Sequence, residues 1–225
     1  MRRFHLILPA VRAVLALAAL IAPSAVAAHP HVWVTVETEV VYNEQKAITG
    51  FRHKWTFDEG YSRFAVEGRD LNRDGNYDRE ELAELAEVNI SSLKEFDFFT
   101  FPKLGGTLLP REEPKDYWLE YHDGLLTLYL TLPLTTPLAA DKIKNFSFAV
   151  YDPTFYVDFA LAEKDPIRLS AAPPGCAPVI KEPHPDAAQR GAQTLSQAFS
   201  GNPDAEAASI AEQYARSVHI VCPAG

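Results

Sequence analysis

His31-Val32-Trp33-Val34-Thr35-Val36-Glu37-Thr38-Glu39-Val40-Val41-Tyr42 is a run rich in β-branched residues whose side chains alternate in character. In an extended chain successive side chains point to opposite faces, so Val32, Val34 and Val36 share one face while Trp33, Thr35 and Glu37 share the other. The run is therefore a strand with one side against a core. Asn43-Glu44-Gln45-Lys46 follows as a polar turn, and Thr49 to Phe57 reads as the returning strand of a hairpin.

Beyond the hairpin the period changes. Asp58 is placed to cap a short helix from about Glu59 to Arg69. Arg79 to Phe96 carries Leu82, Leu85, Ala86, Asn89 and Leu93 at helical spacing. From Phe99 onward strands return. Tyr117 to Tyr121 and Leu125 to Leu132 flank the turn His122-Asp123-Gly124, and Phe146 to Tyr151, Phe155 to Leu161 and Ile167 to Ser170 extend the β-rich part. Ala171-Ala172-Pro173-Pro174-Gly175 breaks the sheet; after it, Ala187 to Phe199 and Ala205 to Ala215 read as helices and Val218 to Cys222 as a short strand. The expected fold class is α+β. It is an antiparallel β-sheet or sandwich, interrupted by a helix-loop-helix insertion over 58–97 and closed by a disulfide-linked helical part over 172–225.

Between the two expected helices lies Asp70-Leu71-Asn72-Arg73-Asp74-Gly75-Asn76-Tyr77-Asp78-Arg79-Glu80-Glu81. It satisfies D-x-[DN]-x-[DN]-G-x5-E, the calcium loop of an EF-hand. Ca²⁺ takes several oxygen ligands in a roughly pentagonal-bipyramidal shell, which a tight loop of this spacing can wrap. Asp70, Asn72 and Asp74 would give side-chain oxygens, Asn76 its carbonyl, Asp78 a direct or water-mediated contact, and Glu81 both carboxylate oxygens. Gly75 occupies the sharp turn. The competing reading is an Asp/Asn/Gly-rich turn that only starts a helix. Tyr77 stands where an aliphatic residue usually pairs with a second hand. No second loop of this pattern occurs in the sequence, so Tyr77 is expected to pack on its own domain and calcium to act as a structural ion.

The chain ends bear on compartment. Met1-Arg2-Arg3-Phe4-His5 is basic, Ala13 to Ala22 is apolar, and Pro23-Ser24-Ala25-Val26-Ala27-Ala28 is small-residue rich. Residues 1–28 thus read as a secretory signal peptide, with cleavage after Ala27 or Ala28, leaving one domain over 29–225 in the periplasm. The apolar run is too short to span a bilayer and no cysteine lies nearby, so no stable membrane anchor is expected. The whole chain carries 21 basic and 30 acidic side chains and a net charge of −9. Losing Arg2, Arg3 and Arg12 takes the mature charge to −12. Nucleic acid is excluded as a partner, because neutralising phosphates needs clustered Lys and Arg. Cys176 and Cys222 most simply pair in an oxidising compartment; a thiol metal or redox site is the alternative, and it lacks the C-x-x-C pattern.

The mature chain is expected to open at or beside His29-Pro30-His31; cleavage after Ala27 would leave Ala28 in front and remove the amine from any chelate. Cleavage after Ala28 would let the His29 imidazole and α-amine chelate a metal with His31 as a third nitrogen, a donor set that Ni, Co, Cu or Zn accept. Pro30 has no N–H to lose, so a square-planar site through successive amides is excluded. Otherwise His29 is a solvated terminus and His31 the start of a strand.

His29-Pro30-His31-Val32-Trp33-Val34, Trp55-Thr56-Phe57-Asp58-Glu59-Gly60-Tyr61-Ser62, the 70–81 loop, Tyr151-Asp152-Pro153-Thr154-Phe155-Tyr156 and Val218-His219-Ile220-Val221-Cys222 together carry a resemblance. The chain resembles a family of bacterial periplasmic proteins of unknown function. These are described as the periplasmic component of an uncharacterised ABC-type transport system and are frequently encoded beside nickel/cobalt-type transporters. The resemblance implies metal handling at the cell envelope with a membrane metal transporter as partner, His29 and His31 as ligands, and Asp58, Glu59 and Asp152 as further oxygens. As residues, those three read equally as a helix cap, a solvated first-turn acid and a turn residue before proline. His53, His122 and His184 read as ordinary strand, turn and loop histidines.

Two functions are expected from this. One is an exported calcium-binding accessory to a membrane metal transporter; the alternative is a non-catalytic, calcium-stabilised interaction module with no transition-metal site. No G-x-S-x-G elbow, H-E-x-x-H, phosphate loop or reactive-cysteine pattern argues for an enzyme.

Overall fold

The structure is a computed structural model that describes residues 31–183 and 210–223. The expected signal segment, His29, His184 and the helix expected from Ala187 to Phe199 lie outside the described residues. The fold is α+β, mostly sheet. The opening hairpin forms as read, with β1 (Val32–Tyr42) antiparallel to β2 (Ile48–Phe57). Two helices follow, α1 (Glu59–Val66) and α2 (Ala83–Leu93), and a 3₁₀ segment over Lys94–Phe99 leads back into strands. These are β3 (Thr100–Leu104), β4 (Thr107–Leu108), β5 (Asp116–His122), β6 (Leu125–Leu138), β7 (Phe146–Val150), β8 (Val157–Leu161), β9 (Ile167–Ser170), β10 (Ala177–Lys181) and β11 (Ser217–Val221).

The strands make two sheets. The larger runs β5-β6-β2-β1-β8, with β9 also on β1, and the smaller runs β10-β11-β7-β3-β4. Side-chain alternation puts one face of the large sheet inside, and two different partners cover that face. At one end Val34, Val36, Trp55, Phe57, Leu126 and Leu128 pack with Leu82, Leu85 and Ile90 of the helical insertion. At the other end Val40, Ile48, Phe51 and Leu138 pack with Phe146, Phe148, Val218 and Ile220 of the small sheet. One long sheet is thus half-covered by helices and half by strands. Gly50 allows β2 to run this close to β6, because a Cβ there would lie 2.4 Å from the Leu132 carbonyl oxygen.

Three expectations are corrected. The large sheet is mixed rather than antiparallel, since β8 and β9 both run parallel to β1; the chain reaches them from the other sheet, by a crossover and not a hairpin. The two expected helices are shorter than read. Gly68 enters the left-handed region at φ 76° and the chain leaves α1 at Val66, while α2 starts at Ala83 rather than near Arg79. The described part of 172–225 is mainly strand: β10 and β11 pair antiparallel, with a short helical turn over 210–214. The disulfide joins Cys176 to Cys222 at the ends of those two strands, not between helices.

Candidate functional site

The 70–81 loop hangs between α1 and α2, and its shape comes from acids accepting backbone N–H groups. Asp70 takes the N–H of Asp74 on Oδ1 and that of Gly75 on Oδ2, both at 3.1 Å. Asn72 Oδ1 takes the Asp74 N–H at 2.8 Å, and Asp74 Oδ1 takes the Asn76 N–H at 2.8 Å. Glu81 reaches back across the loop: its Oε1 accepts from Leu71 and Asn72 at 2.8 and 3.2 Å, and its Oε2 from Asp78 at 3.1 Å. Asp78 Oδ1 accepts from Glu80 and Glu81 at 2.8 and 2.9 Å, turning the chain toward α2. Gly75 sits at φ 82° with open space around its Cα, so backbone conformation and not crowding calls for glycine there.

The loop is anchored by its aromatic and basic members. Tyr77 packs edge-on against Tyr121 of β5 at 4.9 Å, and Arg79 lies 4.6 Å over the Trp118 ring and 4.0 Å from Glu120. Tyr77 therefore packs on its own domain, against the helical end of the core. Arg69 and Glu84, 3.6 Å apart, tie the chain entering the loop to α2.

The remaining candidates take ordinary structural positions. Asp58 caps α1 by accepting the Tyr61 N–H at 2.9 Å, and its other oxygen accepts the Trp33 N–H at 3.0 Å. Burial pulls the Asp58 carboxyl upward, but the N–H groups of Trp33, Tyr61 and Gly60 outweigh it and hold the carboxyl below its usual range. Glu59 pairs along the helix with Arg63 at 3.4 Å. Asp152 is buried and fixes a turn, accepting from Thr154 and Val157. His31 immediately precedes β1, with its N–H on the Tyr156 carbonyl and its ring 4.9 Å from the Tyr156 ring. His122 is the exposed last residue of β5, beside Asp123, rather than a turn residue. Among the described residues no three His, Cys, Asp or Glu side chains are gathered as a group that could hold a metal ion.

His53 lies in β2, as expected of a strand histidine, but it holds a structural role that local spacing does not show. It is buried between Phe51 and Trp55, at the seam where the two halves of the core meet. Thr100 Oγ1 donates to the Phe98 carbonyl at 2.9 Å, so it must accept from His53 Nε2–H at 3.2 Å; Thr38 Oγ1 then donates to Nδ1 at 2.9 Å. The ring is a neutral bridge from β1 and β2 to the first residue of β3. Burial pushes its pKa down to about 3. Its phase with Phe51, Trp55 and Phe57 was the available signal, because residues two apart on a strand share a face.

A family model described as a protein of unknown function, DUF1007, matches residues 14–222. An uncharacterized protein of Haemophilus influenzae is 28% identical over 198 residues, covering 88% of this chain and 92% of its own. An uncharacterized 15.5 kDa protein in the trpE 3′ region of Spirochaeta aurantia is 29% identical over 110 residues, 49% of this chain and 77% of its own. Among the described residues no helix is long and apolar enough to cross a membrane.

Proposed function

Because this chain belongs to the DUF1007 family of proteins of unknown function, we propose its role from its own residues: an exported, non-catalytic protein that binds calcium in the EF-hand-like loop 70–81. The observation that carries the reading is a twelve-residue run with an oxygen donor at every liganding position and Gly75 at a left-handed turn. The donor chemistry suits the ion. A carboxylate oxygen that accepts one N–H keeps lone-pair capacity for a cation, so Asp70 and Asp74 need not release their turns. Glu81 Oε1 already accepts two N–H groups, so calcium would replace at least one of them. In the periplasm a solitary loop of this kind works with a dissociation constant of about 10⁻⁴ to 10⁻³ M and stabilises its domain. Export is supported by the basic, apolar and small-residue order of residues 1–28 and is compatible with the Cys176–Cys222 disulfide.

The measurement is thermal unfolding with calcium and with chelator. At about 10 mM calcium, such affinities raise stability by about 1.4 to 2.7 kcal/mol through mass action. Glu81→Ala is expected to melt lower in chelator, since three backbone N–H groups lose their acceptor, and to gain nothing from calcium. Equal melting of the wild type in both conditions would refute the calcium site.

A role as accessory to a membrane metal transporter rests on the His29-Pro30-His31 segment and the family resemblance. Calorimetric titration with Ni²⁺, Co²⁺, Cu²⁺ and Zn²⁺ tests it. Wild type that binds no metal better than His29→Ala/His31→Ala leaves the calcium-stabilised interaction module as the reading. In either reading the docking of Tyr77 and Arg79 on β5 ties the loop to the sheet, which supports a structural role for its calcium.

A further inference from the structure

The 70–81 loop grips β5, the last strand on its side of the large sheet, from both faces. Leu119 of β5 is 1% exposed and faces the core, so alternation puts Tyr117 and Tyr121 on its side and Trp118 and Glu120 on the solvent side. Tyr77 packs on Tyr121, and Arg79, two residues on, lies over Trp118. The loop therefore straddles the strand.

The solvent side is shaped to take a guanidinium. Trp118 stacks on Tyr129 of β6 at 4.8 Å and 8°, which fixes the indole plane, and Arg79 lies over the opposite face of that indole at 4.6 Å. Trp118 Nε1–H donates to Glu120 Oε1 at 2.9 Å, and the same oxygen stands 4.0 Å from Arg79 Nη2. Burial and then the charge of Glu120 push the Tyr129 hydroxyl up in pKa, which puts this carboxylate beside both rings. A ring face and a fixed carboxylate together hold a cation.

Arg79 needs such a place. In the sequence it stands between Asp78 and Glu80-Glu81, and Asp78 and Glu81 are the last two side-chain donors of the proposed calcium site. A guanidinium pairs with carboxylates as a planar fork and would occupy lone pairs that calcium uses. Its charge beside the ion would also repel it.

We propose that Trp118 and Glu120 are positioning residues of the calcium loop: they hold the Arg79 guanidinium on the solvent face of β5 and so keep its charge off the Asp78 and Glu81 carboxylates. This rests on the calcium reading of the 70–81 loop.

Calorimetric calcium titration of the full-length protein tests it. Trp118→Leu and Glu120→Gln should each weaken binding about threefold, the size of one exposed charge interaction, and the loss should shrink as salt is raised. Glu120→Gln still accepts the Trp118 N–H, so it carries the test where Trp118→Leu disturbs β5. Adding Arg79→Ala to either variant should recover the lost affinity, because the competing charge is gone. Residues that only tethered the loop through Arg79 would give no such recovery. Wild type that binds calcium, with affinity unchanged in both single variants or with a loss that Arg79→Ala does not recover, would overturn the proposal and leave the calcium reading standing. Wild type that binds no calcium would overturn that reading, and the positioning role with it.

Discussion

His53 joins three pieces of the chain that arrive from different directions, and it does so only as a neutral ring. Its folded pKa is pushed down to about 3 by burial, against an ordinary value of 6.5. As pH falls below about 6.5 the unfolded chain takes up a proton that the folded chain refuses, so stability drops until about pH 3. Between pH 7 and pH 5 this one residue is expected to cost about 2 kcal/mol. Urea unfolding at the two pH values measures it. His53→Gln, which keeps an amide donor and acceptor but does not titrate, should flatten the dependence; an unchanged slope would mean that other groups carry it. The sequence reading treated this histidine as ordinary because a lone imidazole on a strand has no local signature. Its inward phase was visible, but its partner Thr100 lies 47 residues away, and no local pattern names such a partner.

At the scale of elements, the hairpin and the helices follow from period, and their docking does not. Alternation gave β1 and β2 within a residue, as expected where one face is buried and register is pinned. Helix ends moved because turn chemistry overrides apolar spacing. Asp78 turns the chain by accepting two N–H groups, so the residues from Arg79 to Leu82 form turns before α2 begins. β10 escaped notice because Pro178 sits inside it and five residues carry little pattern. The loop attaches to β5 through Tyr77 on Tyr121, a half-buried aromatic pair. Tyr77→Ala is expected to lower stability by about 2 kcal/mol in chelator and to weaken calcium binding, since the loop must then order itself without its anchor. Chemical unfolding without calcium measures the first effect and titration the second. Unchanged stability would show that the contact only accompanies the fold.

For the whole molecule, one long sheet is covered by helices at one end and by a second sheet at the other, and the disulfide holds the last two strands of that second sheet. Reducing Cys176–Cys222, with 46 residues of separation, is expected to cost about 4 kcal/mol by the chain-entropy estimate. Melting with and without reductant measures it, and a negligible change would mean that strand pairing alone fixes that end. The residues of the 70–81 loop, the strand-turn-strand opening, the two helices and the only cysteine pair were all legible in the chain, because each is set by spacing within a dozen residues or by there being no other choice. Local spacing states which face of a strand is apolar, but not what will cover it. The covering of the large sheet by two partners, the parallel placement of β8 and β9 on β1, the neutral His53 bridge and the grip of the 70–81 loop on β5 depend on contacts between distant segments. Those contacts are selected by burial of the whole set of apolar faces at once, and so the tertiary structure alone decides them.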